Sequence, residues 1–382
     1  IGTEAGIEKN FCSSRHASWV DFNNDGLLDL FVNCQDIGKV KGDYPKQLYE
    51  RSVGNKLVNV AGETGLAIKD HHLIDYEWLD ADNDGDMDLV SYEDEGYFLH
   101  RNDNGRFTPE FVYRGEFARV DHPELQGRGI AYWVFDGKLT AADYDRDGDI
   151  DVFSASKKGN ILLENTGGRF APVDPPSIGL PENTVAAAWV DYDNDGWIDL
   201  HTVPEGIFRQ LEDHTFERTG ELELPVRKYQ AAIINWFDLD NDGARDVMIT
   251  LNENPSLKRW WEIFPKDPFK WDILTYRNEG SDRHWLQLKL KGNRGNREAI
   301  GARVTVTTPE GKQTQEVGSG DGAFFSQGHY RLYFGLGDHA EADSVEILWS
   351  DGDLQRIEDV QADQLLVISR ESGTQDQDIP DG

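Results

Sequence analysis

At 382 residues the chain exceeds one average domain, and its 38% apolar and 11% aromatic content is enough to pack a sizeable core. Its 71 acidic residues against 38 basic ones leave a net charge of −33, which excludes the basic face that nucleic acid requires and opposes docking on an anionic membrane surface. No stretch approaches the roughly 20 apolar residues of a membrane-spanning helix.

In chain order, the sequence opens at Ile1 without an initiator Met. A secretory signal removed upstream is expected, and with it a secreted or periplasmic location; a monomer is expected as well. Cys12 and Cys34 bracket the first acidic loop. They are expected either to form a disulfide or to remain two buried thiols.

Five copies of one pattern follow: WVDFNNDGLLDLFV from Trp19, WLDADNDGDMDLVS from Trp78, AADYDRDGDIDVFS from Ala141, WVDYDNDGWIDLHT from Trp189 and WFDLDNDGARDVMI from Trp236. Their first aspartates are Asp21, Asp80, Asp143, Asp191 and Asp238, at intervals of 59, 63, 48 and 47 residues. A period near 48 suits one four-stranded blade of a β-propeller, and the longer intervals carry insertions. Each copy reads as strand, tight loop, strand: an apolar lead-in, D-x-[DN]-x-D-G-x-x-D, then an apolar exit. The Trp at four of the lead-ins is expected to fill the space between adjacent blades.

Within each loop, oxygens at positions 1, 3 and 5 point inward, Gly at position 6 turns the chain, position 7 offers a carbonyl, and Asp at position 9 completes the cage. The candidate ligands are Asp21, Asn23, Asp25, Leu27 and Asp29; Asp80, Asp82, Asp84, Asp86 and Asp88; Asp143, Asp145, Asp147, Asp149 and Asp151; Asp191, Asp193, Asp195, Trp197 and Asp199; and Asp238, Asp240, Asp242, Ala244 and Asp246. Hard oxygen donors in a flexible loop suit Ca²⁺, and the nineteen carboxylates at positions 1, 3, 5 and 9 of the five loops would repel one another without cations. About five calcium ions, mainly structural, are expected.

These loops resemble the FG-GAP/VCBS repeats of integrin α-like propellers and of many exported bacterial proteins. The stretches RHWLQLKLKGNRGNREAIGARVTVTT from Arg283 and GSGDGAFFSQGHYRLYFGLGDHAEADSVEILWSDG from Gly318 resemble the ASPIC/UnbV region that follows such repeats, as in the cartilage acidic protein family. The resemblance implies an all-β chain: a calcium-binding propeller over 1–280, a β region over 281–370 that closes the ring or packs on it, and a disordered tail over 371–382. Five repeats are fewer than the seven blades usual in integrin-like propellers. Residues 252–280 and the C-terminal strands are therefore expected to complete a seven-bladed ring.

The starts of the innermost strands mark a channel mouth opposite the loops. They gather Arg15, His16, His71, His72, Asp75, Trp133, Lys138, Asn183, Lys228, Tyr229 and Gln230. Of these, His16, His72, Asp75 and Tyr229 are candidates for acid–base chemistry. The alternative is that the set is ordinary solvated loop. Two insertions, 110–138 and 252–277, add aromatic residues, with Trp260 and Trp261 as candidate ligand contacts or as packing at the seam with the C-terminal region. The leading functional reading is a secreted module that binds a glycan, protein or small molecule at this mouth. The alternative is a non-redox enzyme, a lyase, cyclase or isomerase, with its site in the same place. The sequence holds no G-x-S-x-G, H-E-x-x-H, P-loop or dinucleotide fingerprint.

Overall fold

The computed structural model describes residues 4–7, 13–35, 47–52, 54, 56–67, 73–93, 95–114, 137–224, 229–253, 270–319 and 329–370. Among them the fold is β throughout, apart from one short helix and one 3-10 turn. Each acidic loop joins the first two strands of its own antiparallel meander. The first sheet runs β1 (Ser13–Val20), β2 (Asp29–Gln35), β3 (Gln47–Ser52) and β4 (Lys56–Asn59). The second runs β5 (Leu73–Leu79), β6 (Asp88–Glu93), β7 (Gly96–Asp103) and β8 (Arg106–Tyr113). The third holds β9 (Lys138–Ala142), β10 (Asp151–Ala155), β11 (Ile161–Asn165) and β12 (Phe170–Val173). The fourth holds β13 (Ala186–Val190), β14 (Asp199–Val203), β15 (Gly206–Gln210) and β16 (Phe216–Arg218). The fifth has three strands, β17 (Tyr229–Phe237), β18 (Asp246–Glu253) and β19 (Lys270–Tyr276). Residues 252–280 thus supply the end of β18 and the third strand of this blade.

Successive sheets stack face to face as propeller blades, and a separate apolar cluster fills each of the four seams. The lead-in tryptophans serve these seams. Trp78, Trp189 and Trp236 are 3%, 4% and 6% exposed, each against the blade before it. Trp19 departs from that expectation at 41% exposed, because its blade follows no other among the described residues. The same logic operates at the far end. Phe22, Ala81 and Tyr144 are buried against the next blade, whereas the equivalent Leu239 of the fifth is 62% exposed.

The remaining strands are β20 (His284–Lys291), β21 (Arg303–Thr308), β22 (Gly311–Glu316), β23 (Arg331–Gly337), β24 (Glu341–Leu348), β25 (Leu354–Gln361) and β26 (Gln364–Ser369). They form two sheets, ordered β23-β20-β26 and β22-β21-β24-β25, around their own core of Leu286, Leu288, Val304, Val306, Val345 and Ile347. Their period-two alternation was legible as strands, and here the apolar faces close on each other. This unit meets all five acidic loops, whereas an added blade would touch two neighbours at most. It therefore packs on the loop face of the propeller.

Candidate metal centres

Every loop is set by its own backbone before any ion is considered. The residue at position 4 (Asn24, Asn83, Arg146, Asn194 or Asn241) is left-handed, with φ between 54° and 61°, and the Gly at position 6 has φ between 80° and 96°. In four loops the position 1 carboxylate accepts the amides of positions 5 and 6, as Asp21 takes Asp25 N at 3.1 Å and Gly26 N at 3.0 Å; in the third, Asp143 takes Gly148 N at 3.2 Å and Asp147 N turns to Asp145 Oδ1 at 3.2 Å. The position 5 carboxylate closes the turn by accepting the amide of position 7, at 2.8–3.0 Å in all five loops. The position 9 aspartate opens the second strand, is buried, and accepts a backbone amide from the third strand, or in the fifth blade from Asn278 just past it, at 2.6–2.9 Å.

This frame brings the carboxylate oxygens of positions 1, 3 and 9 within 4.8 Å of one another in four loops: Asp80, Asp82 and Asp88; Asp143, Asp145 and Asp151; Asp191, Asp193 and Asp199; and Asp238, Asp240 and Asp246. The first loop places Asn23 between Asp21 and Asp29, so it offers a neutral oxygen there. Burial first, then the neighbouring aspartates, pushes Asp21, Asp143 and Asp191 up to about 7. Burial likewise pushes Asp29 and Asp88 to about 8 and Asp80 to about 6, and lifts Asp151 and Asp199 well above the carboxylate range. Among the described residues several of these oxygens are buried without a hydrogen-bond donor: Asp29 Oδ2, Asp82 Oδ1, Asp143 Oδ2 and Asp193 Oδ1. Converging, donor-starved carboxylates fit a hard divalent cation of flexible coordination, the chemistry of Ca²⁺. When bound, the ion would supply charge neutralisation between strands one and two.

The loops are also wired to one another, which the sequence reading missed. Position 4 of one loop reaches the next. Asn24 Nδ2 donates to Gly85 O at 3.1 Å and to Asp86 Oδ1 at 2.7 Å, Asn83 donates to Asp149, Arg146 lies 4.5 Å over the Trp197 ring, and Asn194 Nδ2 donates to Gly243 O at 3.2 Å. In the reverse direction a third-strand amide reaches the position 2 carbonyl of the preceding loop: Asn102 to Phe22, Asn165 to Ala81, Gln210 to Tyr144 and Asn278 to Tyr192, at 2.7–2.8 Å. The recurring sequence pairs Glu50-Arg51, Arg101-Asn102, Glu164-Asn165, Arg209-Gln210 and Arg277-Asn278 are the signal that could have shown it.

Where this chain of contacts ends, the C-terminal unit takes over. Asn241 Oδ1 accepts Arg331 Nη1 at 3.2 Å, and Arg51 Nη1 donates to Gly295 O at 3.2 Å. Gln287 Nε2 donates to Asp238 Oδ2 at 2.6 Å. Gly335 sits where any Cβ would strike the Asp191 carboxylate, so glycine is required there. Arg303 donates to Gly148 O and pairs with Glu316 at 3.1 Å, while Glu316 accepts Asp80 N at 3.4 Å. A cavity of about 70 Å³, lined by Arg146, Arg245, Glu316 and Tyr333, lies between the loops and this unit.

At the opposite end, the structure brings together His16 and Asp75, two of the candidate acid–base residues. Their side chains are 11% and 10% exposed, and His16 Nδ1 lies 3.8 Å from Asp75 Oδ1. The His16 ring stacks on Tyr76 at 4.4 Å, and among the described residues neither ring nitrogen has a hydrogen-bond partner. Asp75 Oδ2 accepts Leu139 N at 3.0 Å, and Lys138 Nζ donates across to Ala232 O at 2.6 Å. Asn183 is exposed in the turn before β13. Cys12, His71, His72, Trp133, Lys228, Trp260 and Trp261 lie outside the described residues, as do the side chains of Arg15, Cys34, Tyr229 and Gln230.

The sheets and loops together define a propeller-type protein with acidic clusters suited to metal. Residues 143–202 match the FG-GAP-like repeat and residues 292–375 match the ASPIC and UnbV family, so the chain carries an FG-GAP-like repeat and an ASPIC/UnbV domain. No curated protein is significantly similar in sequence. Among solved structures, an Agrocybe aegerita lectin described as recognising non-reducing terminal N-acetylglucosamine is 17% identical, with a TM-score of 0.39 over 69% of this chain and 67% of its own. The V. cholerae biofilm matrix protein Bap1 is 9% identical (TM-score 0.39, 91% of this chain, 59% of its own). The exotype rhamnogalacturonan lyase YesX is 13% identical (TM-score 0.38, 91% of this chain, 65% of its own). The chain spans about two thirds or less of the length of these structures. Among the described residues no helix is long and apolar enough to cross a membrane.

Proposed function

We propose that this is an exported β-propeller that holds one calcium ion in each of its five loops and binds an extracellular glycan, protein or small molecule at the mouth opposite them. Calcium joins the first two strands of each blade and, through the contacts between loops, makes the loop face one rigid layer under the C-terminal unit. That leaves the opposite mouth for recognition. The observation that carries this reading is His16: an almost buried imidazole stacked on Tyr76 beside the Asp75 carboxylate, with neither ring nitrogen hydrogen-bonded among the described residues. A buried polar group without a partner is costly, and a ligand hydroxyl or carboxylate would relieve it.

The His16–Asp75 pair also favours one second reading, an acid–base enzyme of the lyase, cyclase or isomerase kind at the same mouth. A glycan array and a metabolite thermal-shift screen of the calcium-loaded protein, with His16→Gln alongside, test both. Binding abolished by His16→Gln supports the site, and turnover of the bound compound selects the enzyme. A ligand held equally by wild type and variant moves recognition elsewhere.

A further inference from the structure

One position of the third strand, in the fifth blade just past its end, differs in charge from blade to blade. It is the residue just before the one whose amide binds the position 9 aspartate: Glu50, Arg101, Glu164, Arg209 and Arg277. In each blade this residue lies beside position 3 of its loop. Arg101 Nη1 pairs with Asp82 Oδ2. Arg209 reaches Asp193 Oδ2 at 3.5 Å and Asp195 Oδ2 at 2.9 Å, and Arg277 reaches Asp240 Oδ2 at 2.6 Å. In loops 2 and 4 the other oxygen, Asp82 Oδ1 or Asp193 Oδ1, stays buried and unpartnered, so the arginine holds the back of the carboxylate without blocking the cage.

The glutamates occur elsewhere. In the first blade, where position 3 is the neutral Asn23, Glu50 Oε1 accepts the Asn23 amide at 3.3 Å, orienting its oxygen and restoring the missing negative charge. In the third blade Glu164 adds to a full set of aspartates and is held by Tyr144 Oη at 2.6 Å.

We propose that this third-strand residue sets the calcium affinity of each loop, with the glutamate-backed loops 1 and 3 filling before the arginine-backed loops 2, 4 and 5. Loop 3 has four aspartates at the ligating positions plus a glutamate; loop 1 has three plus a glutamate; loops 2 and 5 have four offset by an arginine, and loop 4 has four offset by two, because Arg283 Nη1 also reaches Asp193 Oδ2 at 2.6 Å. Ligand charge tunes such oxygen sites over orders of magnitude. One unit charge roughly 6 Å from a divalent ion changes its binding about tenfold even at high effective dielectric. Arg277 is 67% exposed and more screened than Arg101 at 30%, so its effect is the smaller.

The inference rests on calcium being the loop ion, and calorimetric titration of the chelator-stripped full chain with CaCl₂ separates the two claims. Absence of calcium binding removes that basis itself. Binding in two classes, two tighter sites and three weaker, is the expected result; five equivalent sites overturn the proposal. Glu164→Gln is expected to weaken one tight site about tenfold, and Arg101→Gln to tighten one weak site severalfold, with circular dichroism confirming the fold of the loaded variants. Glu164→Gln is near-isosteric, and Arg101→Gln shortens a side chain that is 30% exposed; if either fails to fold, Glu50→Gln, expected to weaken the other tight site, takes its place. If Arg101→Gln weakens its site, or Glu164→Gln leaves the tight class intact, positioning outweighs charge and the proposal fails.

Discussion

Arg303→Ala is expected to loosen the C-terminal unit from the propeller. Among the described residues Arg303 is the one cation paired with Glu316, whose side chain is 1% exposed and whose pKa burial pushes up to about 7 even with that partner present. Removing one member of a buried pair leaves an uncompensated charge, typically at a cost of about 3–5 kcal/mol. Glu316 escapes part of this at neutral pH by taking up a proton, so the lower end, about 3 kcal/mol, is expected. The carbonyls of Gly148 and Asp80 lose a donor in the same step, which ties the loss to loops 2 and 3. Urea unfolding of the calcium-loaded protein measures it. The first transition is the relevant one, since two packed units need not unfold together. The double variant Arg303→Met/Glu316→Gln, which removes both charges, should recover at least half the loss. A loss under about 1 kcal/mol, or a double variant no better than Arg303→Ala, would refute the idea that this pair clamps the unit to the loops.

Other outcomes follow from the loops and the core. In calcium-free protein the loop aspartates have raised native pKa values, so between about pH 4 and 8 the native state binds more protons than the unfolded one; stability should therefore rise as pH falls from 8 to 5, and saturating calcium should abolish or reverse that slope in thermal melts. His201 is fully buried, held neutral by burial that lowers its pKa to about 3, and both its ring nitrogens lack partners at a position where other blades carry Phe31, Val90, Phe153 and Met248. His201→Phe should stabilise the protein by about 1 kcal/mol at pH 7 in denaturant unfolding, as removal of an unsatisfied buried group does. Gly243→Ala should disturb docking, because its φ is 93° and a Cβ there would run into the Trp285 ring; increased proteolysis of the C-terminal unit would register it.

The parts of this architecture that depend on near neighbours in sequence were legible. Spacing within nine residues placed Asp80, Asp82 and Asp88 in one cluster, and period-two alternation in 284–291 gave a strand, because loop geometry and pleat are local. What depends on adjacency between blades was not. Trp19 carries the same motif as Trp78, yet among the described residues only Trp78 has a preceding blade to pack on. The seat of the C-terminal unit on the loop face comes from single contacts such as Gln287 to Asp238, which lie far apart in sequence and follow no period. Glu50, Arg101, Glu164, Arg209 and Arg277 were overlooked because they stand at irregular distances from their loops, as hairpin lengths differ from blade to blade. The meeting of His16 with Asp75 was expected only as membership of one mouth; the stacked Tyr76 that orients the ring came from the structure.

The most direct test of the central claim is equilibrium dialysis of the chelator-stripped chain against labelled calcium, with a thermal melt at each concentration. About five ions per chain, a melting temperature that climbs with occupancy, and little competition from magnesium are the predicted result. One ion or none, or a melting temperature indifferent to calcium, would contradict the account of the loops as the metal-held layer of this propeller.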